Sequence, residues 1–319
     1  YEGICPFQEI REKRQMKQQT ICGEISFSGV GLHSGTTVEM SLCPAPEGYG
    51  IRFQRTDIPG DPVVEALAVY VAKTERRTVL MRDQVGISTP EHLLAALYGM
   101  GVDNVLVKLN GPEVPILDGS AYPFAAGIKA TGVHEQKAGR EYIDLIHPVH
   151  FSDKNSGTTI DVVPSSSFSA RVILDFDSGV LGKQEFVFNQ ETDFLSAVAC
   201  SRTFVFLHEV LPLFEKGLIR GGDLDNALVI EDKELSEQDL FQLRKMFGKQ
   251  GLIMHKGYLN EAELRFPDEC ARHKMVDLLG DLFLAGKRFN ASVTAYKPGH
   301  ASNTAVALMI SDQMNGYDT

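Results

Sequence analysis

Residues 88–99 read STPEHLLAALYG. A hydroxyl residue and Pro90 precede an unbroken apolar run, which is how a helix begins, and Gly99 and Gly101 suit its C-terminal cap. The segments before it have a different period. ICGEISFSGVGL (21–32), TTVEMSLCPA (36–45) and GIRFQR (50–55) alternate and are broken by glycine, as strands joined by tight turns are. A helix set into a run of strands indicates an α+β chain. The oddity is its first turn, where Glu91 and His92 stand side by side at the mouth of a helix whose remainder belongs in the interior.

Outward from this point the pattern continues. DNVLVKLN (103–110) reads as a buried strand, and GPEVPILDGSAYPFAAGIKATG (111–132) as a loop entering a second helix. EQKAGRE (135–141) offers nothing to a core and is taken as a boundary. Beyond it, YIDLI, TTIDVVP, SARVILDF and QEFVF read as strands, followed by a helix and a long polar, partly helical stretch from Glu231 to Glu263. A strong helix spans Pro267 to Gly286, and ASVTAYK and TAVALMI read as closing strands. Both halves therefore set strands before and after helices. The expected architecture is two similar α+β domains, 16–135 and 140–312, each with sheets layered against helices, and the active site between them. Residues 1–15 are read as a disordered leader and 313–319 as a tail.

The bulk numbers narrow the function. The chain has 319 residues, is 43% hydrophobic and 23% charged, and carries a net charge of −11. That balance suits a soluble globular protein and disfavours a nucleic-acid partner, which would need basic stripes. No apolar run is long enough to span a bilayer. The five cysteines are widely spaced without a CxxC, which argues against a disulfide framework or a cysteine zinc site and for a reducing, cytoplasmic home. A small-molecule substrate is the remaining expectation.

The sharpest constellation is ARHKMVDLLGDLFLAG (271–286). At about 100° per residue, His273, Asp277 and Asp281 share one helix face, with Val276, Leu278, Leu279, Leu282 and Phe283 on the other. A histidine and an aspartate four apart can ligate one metal ion, or simply pair with each other on a solvated face. A catalytic zinc takes three protein ligands and keeps a fourth position for water, so a third donor must come from elsewhere, and His92 is the candidate. Glu91 would then serve as general base. The competing reading makes Glu91 the end of a capping box, Ser88-x-x-Glu91. AYKPGHASN places His300 in a turn between strands, either as a surface residue or as an acid whose imidazole Asp281 orients and keeps protonated. Lys274 and Lys297 are cations that an oxyanion or phosphate could meet, and ordinarily they would only solubilise. His33 sits in the glycine-rich SGVGLHSG, and SRTFVF offers the Thr203 hydroxyl, with Phe204 and Phe206 alternating as in a strand.

SGVGLHSG, STPEHLLAALYGMGVDN, GPEVPILDGSA, SRTFVF, GLIRGGDLDNALV, RHKMVDLLGDL and KPGHASN occur here in an order that resembles the UDP-3-O-acyl-N-acetylglucosamine deacetylases, zinc enzymes of lipid A biosynthesis in Gram-negative bacteria. The resemblance runs from about Met16 to Ile310. It implies zinc held by His92, His273 and Asp277, a donor set that ferrous iron also suits, with Glu91 as base and His300 as acid or electrophilic partner. It further implies Asp281 as the orienting carboxylate of His300, Lys274 and Thr203 at the oxyanion, and Leu32, His33, Phe204 and Lys297 at the substrate. The implied partner is a lipid-linked sugar nucleotide, with transient contact at a membrane surface. An apolar passage for the acyl chain is expected from an insert between about Asp175 and Phe188. DFDSGVLGKQEF (175–186) departs from the family in lacking the usual His-Pro. The long Glu231–Glu263 segment resembles the form fused to a 3-hydroxyacyl-carrier-protein dehydratase, a domain expected to lie outside these residues. The leader matches nothing in the family. A non-catalytic precursor-binding relative and a structural metal site are the alternative readings.

Overall fold

Alternation in Thr37–Pro44 becomes a strand whose Val38, Met40 and Leu42 face inward while Glu39 faces out. It belongs to one of two five-stranded sheets in the computed structural model, which describes residues 16–176, 178–233, 236–246, 254–255, 257–259 and 263–314. The first sheet runs Ile25–Val30, Thr37–Pro44, Val105–Leu109, Ile51–Arg55, Val63–Glu65 in spatial order. All its neighbours are antiparallel except Val105–Leu109 with Ile51–Arg55, which are parallel. The second runs Val149–Asp153, Thr158–Pro164, Ala291–Tyr296, Ser169–Asp175, Lys183–Phe188, again with its single parallel pair between the third and fourth positions. The same order and the same polarity occur twice, so the two halves are similar units.

Parallel neighbours need a crossover connection, and in each half that crossover carries a helix. Helix α1 (Glu91–Gly99) leads into Val105–Leu109, and α2 (Tyr122–Thr131) follows that strand. After a short α3 (Phe194–Ala197), α4 (Leu207–Glu215) and α5 (Glu237–Met246), helix α6 (Glu269–Phe283) leads into Ala291–Tyr296. The last helix, α7 (His300–Met314), then follows as α2 does in the first half. One buried apolar cluster runs through both halves, joining Leu42, Phe53 and Leu94 to Val172, Leu279 and Phe289. A second, smaller cluster of Leu207, Val210, Val229, Leu243 and Leu259 lies under the four-stranded sheet that begins at Phe204. No helix of the described residues is long and apolar enough to cross a membrane.

The equivalent helices α1 and α6 meet at the backbone. A Cβ built on Gly280 would lie 2.0 Å from the Glu91 carbonyl oxygen and 2.8 Å from its carbon. Residues 91–97 and nearly all of α6 are consequently buried, including every ionisable side chain that the two helices turn towards each other.

Four sequence expectations change. TAVALMI belongs to α7, not to a strand: a run that is apolar after Thr304 carries no period to separate the two, and its helical start comes from Gly299, whose carbonyl accepts from Asn303 N at 2.9 Å. His300 is thus in a first helical turn, not in a turn between strands. The polar 135–141 stretch lies mostly within the strand Val133–Gly139, paired antiparallel with Lys17–Ile21, and its Gln136 is buried and bonded to Asn104 and the Ala45 carbonyl. Asp175–Phe188, expected as an inserted passage, is largely the hairpin of two sheet strands. The Glu231–Glu263 segment contains α5 and two short strands among its described residues; its positions 234–235, 247–253, 256 and 260–262, and the expected leader, lie outside them.

Helix propensity alone would make Gly280→Ala stabilising by about 1 kcal/mol. The contact with Glu91 reverses the sign: the substitution is expected to destabilise by about 1–3 kcal/mol, read as a lowered denaturant midpoint at unchanged slope. A raised midpoint would mean that the helices do not touch there.

Candidate active site

His273 and Asp277 stand one turn apart on α6, and the crossing at Gly280 sets the first turn of α1 against them. His92, His273 and Asp277 each offer one ligand atom, all within 4.8 Å of one another and all buried. His92 Nε2 lies 3.6 Å and His273 Nε2 3.4 Å from Asp277 Oδ1. Donors about 2.0–2.1 Å from a tetrahedral ion would be about 3.3–3.4 Å apart, so the spacing suits such a site. The hydrogen bonds point the same way. His273 Nδ1 donates to the Ser201 carbonyl at 3.1 Å, which leaves the Nε2 lone pair facing Asp277. Asp277 Oδ2 accepts from Lys274 Nζ at 2.9 Å, but Oδ1 is buried with no hydrogen-bond partner. Acceptors facing one another out of water are costly unless a cation lies among them. Burial pushes the His273 pKa down to about 3, keeping the ring neutral. Burial would raise the Asp277 carboxyl, but the Lys274 ammonium and His273 oppose it and hold it well below the carboxylate range. The residues fit a divalent metal.

A second group adjoins the first. Asp281, completely buried, accepts from Thr78 Oγ1 at 2.7 Å, Asn303 Nδ2 at 3.0 Å and His300 Nδ1 at 2.9 Å. Burial alone would lower the His300 pKa, but the Asp281 and Glu91 carboxylates outweigh it and lift it to about 9. His300 Nε2 faces Glu91 Oε1 at 3.8 Å. Burial, the largest influence on Glu91, raises its carboxyl to about 7. No capping box forms: Pro90 occupies the N-cap position without a side-chain cap, and Glu91 Oε2 instead meets the Thr78 N–H at 3.4 Å.

Both groups open on a cleft of about 270 Å³ that Leu32, Thr203, Phe204 and Lys274 also line. Thr203 is fixed through its N–H to the Gly119 carbonyl at 2.8 Å. The Phe204 ring stands edge-on to His273, with Lys274 Nζ 5.5 Å above it. Leu32, Thr203 and Phe204 also line a neighbouring apolar cavity walled by Val210, Leu213 and Val229, so the apolar space beside the site comes from 203–229 rather than from 175–188. His33 borders that cavity. Burial lowers its pKa to about 4, and its Nδ1 accepts from Ile219 N at 3.4 Å, so the proton sits on Nε2, which is buried and unpartnered. Lys297 is not among the lining residues of the cleft; its ammonium lies 5.4 Å from the Tyr296 ring.

Reading the sequence missed Thr78, Ser201 and Asn303. Asn303 had a signal, since it is three residues after His300 and so on the same helix face, but the strand reading of α7 concealed it. Thr78 and Ser201 reach the site through tertiary packing alone.

Comparison with known proteins decides the family. A family model described as "LpxC: UDP-3-O-acyl N-acetylglycosamine deacetylase" matches residues 18–248 and 246–312. The chain belongs to the LpxC deacetylase family. A UDP-3-O-acyl-N-acetylglucosamine deacetylase from Myxococcus xanthus is 40% identical over 302 residues, covering 94% of this chain and 88% of that relative. Proteins named bifunctional enzyme LpxC/FabZ, from Bacteroides thetaiotaomicron and Porphyromonas gingivalis, are 41% and 42% identical over 293 and 295 residues. The chain spans 92% of itself but only 64% of each of these two relatives, matching their LpxC part. The LpxC family is zinc-dependent, in accord with the buried His92, His273 and Asp277 group.

Asp277→Asn puts an amide where the unpartnered oxygen lies. After dialysis against buffer containing zinc, the wild-type chain is expected to retain about one ion and the variant about a tenth or less, by elemental analysis. Equal retention would remove Asp277 from the ligand set.

Proposed function

We propose that this chain hydrolyses the N-acetyl group of a UDP-3-O-acyl-N-acetylglucosamine, the deacetylation of lipid A biosynthesis, in a site between the two halves. The observation that carries the reading is the juxtaposition of a three-donor group with Glu91 and His300, two proton carriers of opposite charge. Three protein donors are the number found in catalytic zinc sites, whereas structural ones are closed by four. Among the described residues the metal-ligating group has three members.

His92, His273 and Asp277 would hold zinc, whose Lewis acidity eases the deprotonation of water and polarises an amide carbonyl. Glu91 takes the proton of the attacking water. A carboxyl lifted to about 7 by burial suits a base working near neutrality. As water adds to the carbonyl carbon, negative charge grows on its oxygen, where the Thr203 hydroxyl and the Lys274 ammonium would meet it. His300, kept cationic by Asp281, gives a proton to the departing nitrogen as the C–N bond breaks, releasing acetate and a free amine. Asp281 acts through His300, and Thr78 and Asn303 fix Asp281 in turn. The acyl chain would occupy the apolar cavity beyond Phe204, and the neutral His33 offers its Nε2–H to a substrate acceptor. Lys297 enters as a phosphate contact on family likeness alone.

The test is acetate release from the UDP-sugar by the purified chain. Activity should vanish with a zinc chelator and return with about one equivalent of zinc. Glu91→Gln is expected to lower turnover by about 10²–10⁴-fold with metal content unchanged; undiminished turnover would exclude Glu91 as the base. For His300→Gln a loss of about 10²-fold or more is expected, also with metal retained, and loss of the metal itself would place His300 among the ligands instead. A substrate lacking the 3-O-acyl chain should react more slowly, and equal rates would point to another sugar-nucleotide amide.

A further inference from the structure

GPEVPILDGSA contains a buried acid that the mechanism leaves unused. Glu113 is 1% exposed and lies in the segment joining the first sheet to α2. Its Oε1 accepts from the His33 N–H at 2.9 Å and from Thr89 Oγ1 at 2.8 Å, and its Oε2 accepts from the Ser34 N–H at 2.7 Å. One carboxylate therefore grips two consecutive amides of the loop that carries Leu32 and His33. It also grips the hydroxyl two residues before Glu91. The surrounding chain is shaped for it. A Cβ on Gly31 would fall 2.4 Å from both Glu113 Oε2 and Ser34 Oγ, so only glycine lets the carboxylate and the loop close on each other. Thr89 holds a left-handed φ of 57°, a conformation that a β-branched residue adopts only under constraint.

We infer that Glu113 is a positioning residue for substrate recognition, setting the Leu32–His33 loop against the cleft; this rests on the reading of the site as a deacetylase. The two grips are not equal in consequence. Thr89 has a further anchor, its own N–H on the Thr78 carbonyl at 2.9 Å, and Ser88 is bridged to Pro112 and Val114. The start of α1 is thus held without Glu113. The amides of His33 and Ser34 depend on the carboxylate directly, and the unpartnered Nε2 of His33 is what they place. Glu113→Gln keeps the volume but turns an amide N–H₂ towards an N–H or hydroxyl donor, which breaks at least one contact.

The experiment measures KM and kcat for deacetylation in wild type, Glu113→Gln, His33→Ala and the double variant, with metal content and thermal midpoint for each. Wild-type turnover tests the deacetylase reading by itself. Given that turnover, Glu113→Gln should raise KM about tenfold or more while kcat stays within about threefold and metal content is unchanged. In the His33→Ala background the same substitution should change KM little, because the residue it positions is gone. An unchanged KM, or the same rise in both backgrounds, overturns the inference. A Glu113→Gln chain that fails to fold leaves Gly31→Ala to decide, since its methyl group presses on both the carboxylate and Ser34 Oγ, parts the two, and should give the same KM signature.

Discussion

The crossing of α1 and α6 at backbone contact is the constraint on which the rest depends. Gly280 lacks the atom that would strike the Glu91 carbonyl, so the two helices approach closely enough for the adjacent Glu91 and His92 to reach side chains set one turn apart on α6. With α1 fixed against α6, the helical repeat does the remaining placement. His92 lands beside His273 and Asp277, and Glu91 lands between them and the His300–Asp281 pair. The duplicated sheet explains why these helices are available to meet. Each occupies the same place in its half, on the crossover leading to the strand inserted beside its parallel neighbour.

Burying Glu91, His92, His273, Asp277 and Asp281 together beside a partly buried His300 would be prohibitive if each were left alone. The fold separates the charges into two solutions. Asp281 accepts from three donors and is paired with a cationic imidazole, so its own charge is compensated. His92, His273 and Asp277 turn acceptors towards one another, an arrangement that a cation completes. Glu91 lies between the two, and burial raises its pKa even though the His300 imidazolium opposes the rise.

Much of this was legible in the sequence. The α+β class, α1, α6 and most strands of the two five-stranded sheets followed from periodicity, the short edge strands Val63–Glu65 and Val149–Asp153 excepted, and the i,i+4 spacing of His273, Asp277 and Asp281 put them on one face. What periodicity could not give was the type of the apolar run that follows Thr304, hence the misread α7 and the missed Asn303. A polar edge strand such as Val133–Gly139 likewise hides its pairing, because its stability comes from backbone bonds and from a buried amide rather than from an apolar face. Glu113 and Thr78 are ordinary residues in sequence, and only the folded chain shows what they grip. The role of Gly280 was equally invisible, since a glycine in a helix does not announce the carbonyl that approaches it.

Anomalous scattering at the zinc absorption edge from crystals of the zinc-loaded chain tests the three-donor site most directly. One strong peak is expected about 2.0–2.2 Å from His92 Nε2, His273 Nε2 and an Asp277 oxygen, with no fourth protein ligand. A peak elsewhere, or one that leaves His92 out of reach of the ion, would contradict the claim that the helix crossing exists to build a metal site.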